Sequence, residues 1–181
     1  MSAGETYLTA GQLLARAREL GAAITRDYEE RDLVLVVPLR GSFIFGVDLS
    51  RSLKLPHEID FVEMEPYHRG ERGVRLVKDL DGDIRGRDVL IAVDVVDTGL
   101  TMHYLCKTLR LRDPASLCIT TLLDRPYRRL VDDLPVGYVG FTVPDELFAG
   151  YGLGLEERWR ALPDVRIIPA EALPAAATDA A

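Results

Sequence analysis

Two cysteines, one tryptophan, three histidines and three lysines are all that the 181 residues contain of those types. Cys106 and Cys118 sit in apolar periodic segments, LCKTL and LCITTLL. Buried reduced thiols are therefore expected rather than a disulfide framework or a nucleophile. His57, His68 and His103 are scattered, and no Cys/His pair has the spacing of zinc ligands. The longest stretch without Asp, Glu, Lys or Arg is the 11 residues 134–144, well short of the roughly 20 that a membrane helix needs. At the N-terminus, MSAGETYLTAGQLLARARELG has no basic segment leading into an apolar one. On that pattern a secretory signal is not expected, and a cytoplasmic location is.

Positive charge is also short. Twenty-two Lys and Arg face 29 Asp and Glu, a net charge of −7. Such a surface does not coat a nucleic-acid backbone, because that needs clustered cations to neutralise phosphates. Any phosphate partner has to be met by a local site, and neither nucleic acid nor membrane is expected as a partner.

What remains is 48% hydrophobic residues arranged with clear periods. Thr9 followed by Gln12 is a capping-box signature, and Leu13, Ala17, Leu20 and Ile24 repeat at helical spacing. This predicts an amphipathic helix over about 9–29. LVLVVPL (33–39) reads as a strand that ends at Arg40-Gly41-Ser42, with a helix following to about residue 53. Strands are predicted at 58–65, 74–80, 89–96, 116–123, 137–143 and 165–169, a helix at 100–112, and a short helix near 155–161. The connector around 66–73 reads as a mobile loop and the segment after Pro169 as a frayed tail. Strongly apolar strands separated by helices describe an α/β fold, with a mainly parallel sheet covered on both faces. One domain over 1–168 with a small cap is expected, and 169–181 outside it.

The chemistry concentrates in VLIAVDVVDTGLT (89–101). A buried strand that runs into Asp-Thr-Gly and opens a helix gathers the N–H groups of Thr98, Gly99, Leu100 and Thr101 around one point. Unpaired donors and the helix dipole together make an anion cup there. Asp94 and Asp97 at the strand's carboxyl end place carboxylates beside the bound anion, where they can meet sugar hydroxyls, a magnesium ion or a proton. No GxxxxGK[ST] occurs, so this is not a mononucleotide P-loop.

This segment resembles the phosphoribosyl-pyrophosphate signature of the type I phosphoribosyltransferases. With LRGSFIF (39–45), KDLDGDIRGRDVLI (78–91), SLCITTLLDRPYRR (116–129) and GYVGFTVPDELFAGYGL (137–153), the chain resembles the hypoxanthine phosphoribosyltransferases in particular. The resemblance spans about 9–168 and implies the fold of that family, a twisted parallel sheet with a hood made from the terminal segments. It implies a purine salvage reaction: phosphoribosyl pyrophosphate and hypoxanthine, or guanine, give IMP, or GMP, and pyrophosphate, with Mg2+ as cofactor. By resemblance, Asp97–Thr101 cradles the 5′-phosphate and Asp97 handles the proton of the purine N7. Arg40 and Gly41 belong to the pyrophosphate loop, Asp145 joins Asp94 as a magnesium ligand, and Arg160 reaches the pyrophosphate. Tyr138 stands for the aromatic residue that stacks on the base, the Val139 backbone for the group that reads its edge. A homodimer or homotetramer is implied as well.

Three positions depart from the family pattern. Val93 stands before Asp94 where the family has a second carboxylate that helps hold the ribose hydroxyls. Arg125 replaces a lysine that donates to the purine carbonyl, and Pro66-Tyr67 alters the loop. Val93 supports a second reading, a non-catalytic relative that senses phosphoribosyl pyrophosphate or a nucleotide. Arg128 and Arg129 are expected on the surface, as is His103, unless it lies at an interface.

Overall fold

The computed structural model describes residues 4–66, 73–154 and 159–169. Residues 67–72 of the loop expected at 66–73 and the tail after 169 lie outside the described residues.

Helix α1 (Ala10–Asp27) starts where the capping box predicts. Gln12 donates its backbone N–H to Thr9 Oγ1 at 3.3 Å, and Thr9 N–H donates back to Gln12 Oε1 at 2.9 Å. Leu13, Ala17, Leu20 and Ile24 are its buried stripe. The strands that follow are β2 (Leu33–Leu39), β3 (His57–Pro66), β4 (Val74–Lys78), β5 (Asp88–Val96), β6 (Ser116–Asp124) and β7 (Val136–Thr142). Helix α2 (Phe43–Ser52) joins β2 to β3, and α3 (Leu100–Arg110) joins β5 to β6. The six strands form one sheet in the order β4-β3-β2-β5-β6-β7, parallel except for β4 against β3.

Continuous apolar strands follow from burial on both faces. In β5, Leu90 and Ala92 face a core shared with α1 and α2, whereas Val89, Ile91 and Val93 face the core under α3. Because the central strands are parallel, β2, β5 and β6 all end on one edge. Their following loops meet there, which is where open α/β sheets carry ligands.

A second sheet, β1-β9-β8, sits over that edge. It joins β1 (Glu5–Leu8) to β9 (Val165–Ile167), and β9 to the two-residue β8 (Phe148–Ala149), all antiparallel. The sequence pattern does not announce β1 or β8, since a strand of two to four residues carries almost no periodicity. The predicted helix near 155–161 is corrected in part: 159–161 form turn structure, and 155–158 lie outside the described residues.

No helix among the described residues is long and apolar enough to cross a membrane. Both cysteines are free thiols, Cys106 buried and Cys118 half-buried. Burial pushes the Cys106 thiol up to about 11 and raises that of Cys118. A thiol-specific alkylating agent at pH 8 is expected to label neither cysteine until denaturant is added; prompt labelling of the native protein would contradict this.

Candidate active site

Gly99 adopts φ +83°, a left-handed turn that breaks β5 and opens α3. A Cβ there would lie 2.6 Å from Leu134 and 2.7 Å from Val131, so the position accepts only glycine. The backbone of Thr98 to Thr101 thereby wraps the N-terminus of α3. Leu100 N–H has only a long 3.5 Å contact to Thr98 Oγ1, and the first helical bond runs from His103 N–H to Gly99 O at 2.8 Å. The preceding donors form the cup that the sequence implies.

The cup opens into a cavity of about 560 Å³. Gly41, Asp94, Asp97, Thr98, Gly99, Thr101 and Arg160 all line it, so segments far apart in sequence converge as expected. The Leu39-Arg40 peptide bond is cis. Arg40 itself is off the cavity wall, with Nε 3.4 Å from Glu63. The loop after β2 is tied to β5 through Ser42, whose Oγ donates to Asp94 Oδ1 at 3.1 Å and accepts from Asp94 N–H at 3.0 Å. Arg160 Nη1 donates to Gly152 O at 2.8 Å, which fixes the arginine on the hood.

Asp94 lies deep enough that burial raises its pKa, with the Ser42 hydroxyl and nearby N–H groups opposing. The native state therefore prefers the protonated carboxyl, and the stability that this preference contributes is lost as pH rises through the raised value. Asp94→Asn is expected to raise the melting temperature at pH 8, with a gain that shrinks as pH is lowered toward 4; a uniform loss across that range would contradict the burial argument.

Asp97 sits at the cup's rim between two guanidinium groups. Arg128 Nε is 2.9 Å from Oδ1, and Arg125 Nη1 is 3.7 Å from Oδ2. Arg125 is also anchored on the Glu146 carbonyl and lies with its Cζ 5.4 Å from the centre of the Phe148 ring. Arg128 keeps a third of its side chain exposed, in line with the surface expectation, while bridging Asp97 and Asp145; Arg129 departs from that expectation, largely covered and paired with the buried Asp124. His103 is half-buried, with Nδ1 3.3 Å from Asp133.

Three expected site residues are placed elsewhere. Tyr138 points to the α1 side of β7 and donates its hydroxyl to Asp27 Oδ2 at 2.7 Å. Val139 pairs with Thr121 in the β6–β7 ladder, and its carbonyl accepts from Arg16 at 2.9 Å. Its backbone is therefore engaged within the fold. The aromatic ring on the cavity wall is instead Phe148 of β8, buried against Tyr7 at 5.1 Å between ring centres. Asp145, exposed over 61% of its side chain, is held by Arg128 at 2.7 Å and Arg125 at 3.9 Å, away from the cavity wall. Only the spacing from Phe148 to the glycine that follows Ala149 could have suggested the better assignment, and a second aromatic beside glycine at 138 competes with it.

The residues present do not fit a magnesium ion ligated by the chain. Asp94 is taken by Ser42, Asp145 is neutralised by two arginines, and Val93 supplies no oxygen. Among the described residues no group of three His, Cys, Asp or Glu is placed to hold a metal.

A family model for the phosphoribosyl transferase domain matches residues 3–153. The chain belongs to the phosphoribosyltransferase family. Hypoxanthine phosphoribosyltransferase of Salmonella typhimurium is 47% identical over 166 residues, covering 89% of this chain and 93% of the relative. The hypoxanthine-guanine phosphoribosyltransferase of Mycobacterium tuberculosis is 42% identical over 164 residues, covering 86% and 81%. A crystal structure of a hypoxanthine phosphoribosyltransferase from Staphylococcus aureus matches with a TM-score of 0.89 at 38% identity, covering 94% of each chain. This phosphoribosyltransferase thus shares its overall fold with these relatives.

Proposed function

We propose that the chain is a purine salvage enzyme that transfers the phosphoribosyl group of phosphoribosyl pyrophosphate to hypoxanthine or guanine. The reading is carried by one observation: Asp97 stands at the rim of the anion cup, facing the cavity, in a chain 47% identical to a hypoxanthine phosphoribosyltransferase. The relatives are named as enzymes, which favours this reading over the non-catalytic alternative.

In this reading the N–H groups of residues 98–101 hold the 5′-phosphate. The bond from C1′ to the pyrophosphate oxygen breaks while N9 of the purine forms the new bond to C1′. The proton on N7 passes to the Asp97 carboxylate, and pyrophosphate leaves. Charge builds on the leaving group, and Arg160 on the hood and Arg40 in the loop are the cations nearest its path. The sugar carbon becomes cation-like, so water has to be kept out, which the hood over the cavity mouth favours. Phe148 packs the base, and Arg125, with its Cζ 5.4 Å from the centre of that ring, is the donor proposed for the base carbonyl. A homo-oligomer and a cytoplasmic location accord with this reading and belong to the same proposal.

The test is turnover with phosphoribosyl pyrophosphate and each of hypoxanthine, guanine, xanthine and adenine, with nucleotide formation followed. IMP formation exceeding that of AMP is expected; no nucleotide from any base would overturn the reading.

A further inference from the structure

Helix α2 starts at the loop after β2, on the ligand-bearing edge of the sheet, and runs back to the edge where β3 begins. Near its end it meets α1 at close quarters: a Cβ on Gly21 would lie 2.6 Å from Ser52 Cβ. Beside that contact the two helices leave a cleft of about 540 Å³, which shares none of its described lining residues with the catalytic cavity. Arg18 and Arg26 of α1, Arg51 of α2 and Lys54 just beyond it all line the cleft, and all four are exposed. The rest of the lining is short: Ala22, Thr25 and Ser52. Positions 18, 22, 25 and 26 fall on one face of a helix, so the period of α1 itself brings its two arginines to the same groove.

The two hydroxyls are engaged within the fold. Thr25 Oγ1 donates to Gly21 O at 2.6 Å and accepts from Lys54 N–H at 3.0 Å, and Ser52 Oγ donates to Asp48 O at 2.7 Å. Polar recognition in the cleft therefore falls to the four cations. None of them forms an ion pair with a described carboxylate, in a chain of net charge −7 whose other described Lys and Arg are mostly paired. Helix C-termini attract cations, which accounts for Arg26 and Arg51 in the last turns of α1 and α2. It does not account for Arg18 in the middle of α1, nor for the meeting of all four in one cleft. Like charges so gathered repel one another, and a bound anion removes that cost.

The lining also selects the anion. Guanidinium forks match phosphate oxygens in pairs. One phosphate group carries about two charges at most near pH 7, so four cations match a chain of linked phosphates better than a single one. Among the described residues no aromatic or large apolar side chain lines the cleft, so nothing is placed to hold a base.

We propose that the cleft between α1 and α2 is a second anion site, which binds a chain of linked phosphates through Arg18, Arg26, Arg51 and Lys54 and recognises the phosphates alone. This site is independent of the transferase activity proposed above.

Lys54 permits a site-resolved test, because the chain has three lysines and Lys107, exposed on α3 and also without an ion pair to a described carboxylate, serves as the reference. The native protein is acetylated slowly in EDTA with and without inorganic tripolyphosphate, and the rate at each lysine is read by mass spectrometry. Saturating tripolyphosphate is expected to slow Lys54 at least about fivefold and Lys107 less than about twofold, with sodium sulfate at equal ionic strength protecting neither. ATP is expected to half-protect Lys54 at a concentration no more than about fivefold below that of tripolyphosphate. No slowing at Lys54, or equal slowing at Lys54 and Lys107, would overturn the proposal. So would a Lys54 that fails to react in buffer alone, since the cleft would then be covered in the native protein. A larger advantage for ATP would overturn recognition of the phosphates alone. In the double variant Arg18→Gln, Arg51→Gln the protection is expected to vanish at an unchanged melting temperature; full protection in the folded variant would overturn the assignment of these arginines. If that variant does not fold, the comparison of Lys54 with Lys107 in the native protein still decides.

Discussion

Asp97→Asn is expected to lower kcat by about 10²- to 10³-fold while changing the affinity for phosphoribosyl pyrophosphate by less than about threefold. The amide keeps the shape of the carboxylate but cannot take the N7 proton. The cup that holds the phosphate is built from backbone N–H groups and Gly99, so it does not depend on that side chain. The substitution also removes a charge that Arg128 faces at 2.9 Å and Arg125 at 3.7 Å. Both arginines retain Asp145, and Arg125 its anchor on Glu146, so they stay in place. Comparing single-turnover rates with binding separates the two effects. Equal losses in both would mean that Asp97 supports the cup rather than the proton.

Gly152→Ala is expected to cost about 2–4 kcal/mol of stability and to abolish most activity. The residue has φ +97°, and a Cβ would fall 2.2 Å from the carbonyl oxygen of Gly41, a backbone atom that cannot swing aside. It is also where the hood touches the loop after β2 through the Gly41 carbonyl, while Gly152 N–H donates to Arg160 O at 2.9 Å within the hood. Any relief has to move either the loop that carries Arg40 or the turn that carries Arg160. Thermal denaturation and turnover report the two consequences. A variant with native stability and native turnover would show that the hood and loop are not in firm contact.

How much of this was legible beforehand depends on the length of the signal. The capping box at Thr9, the apolar run of β5 and the Asp-Thr-Gly turn each span enough residues to fix an element, and each stands where the pattern predicts. The cup, Asp94, Gly41 and Arg160 followed from motif order, and the fold brings them to one cavity. The base side was misread at Tyr138, Val139 and Asp145. Strand alternation in β7 turns Tyr138 toward α1, and ladder pairing engages Val139. Neither fact is visible without knowing which strands are neighbours. Phe148 was missed because its strand has two residues, and Arg128 because an arginine pair after a proline reads as a solvated turn. Long-range pairing, not local propensity, decided these positions.

The hood has a practical consequence for anyone handling this protein. Tyr7 of β1 packs its ring on Phe148, and β9 is the strand that pairs with β1. An affinity tag or fluorescent fusion joined close to residue 4 therefore pulls on a ring that lines the cavity rather than on a remote end of the chain. The turn at residues 81–86 lies by the opposite end of β5, where Gly86 has nothing within 4 Å of its would-be side chain. A label placed in that turn reports on the molecule without leaning on the pocket.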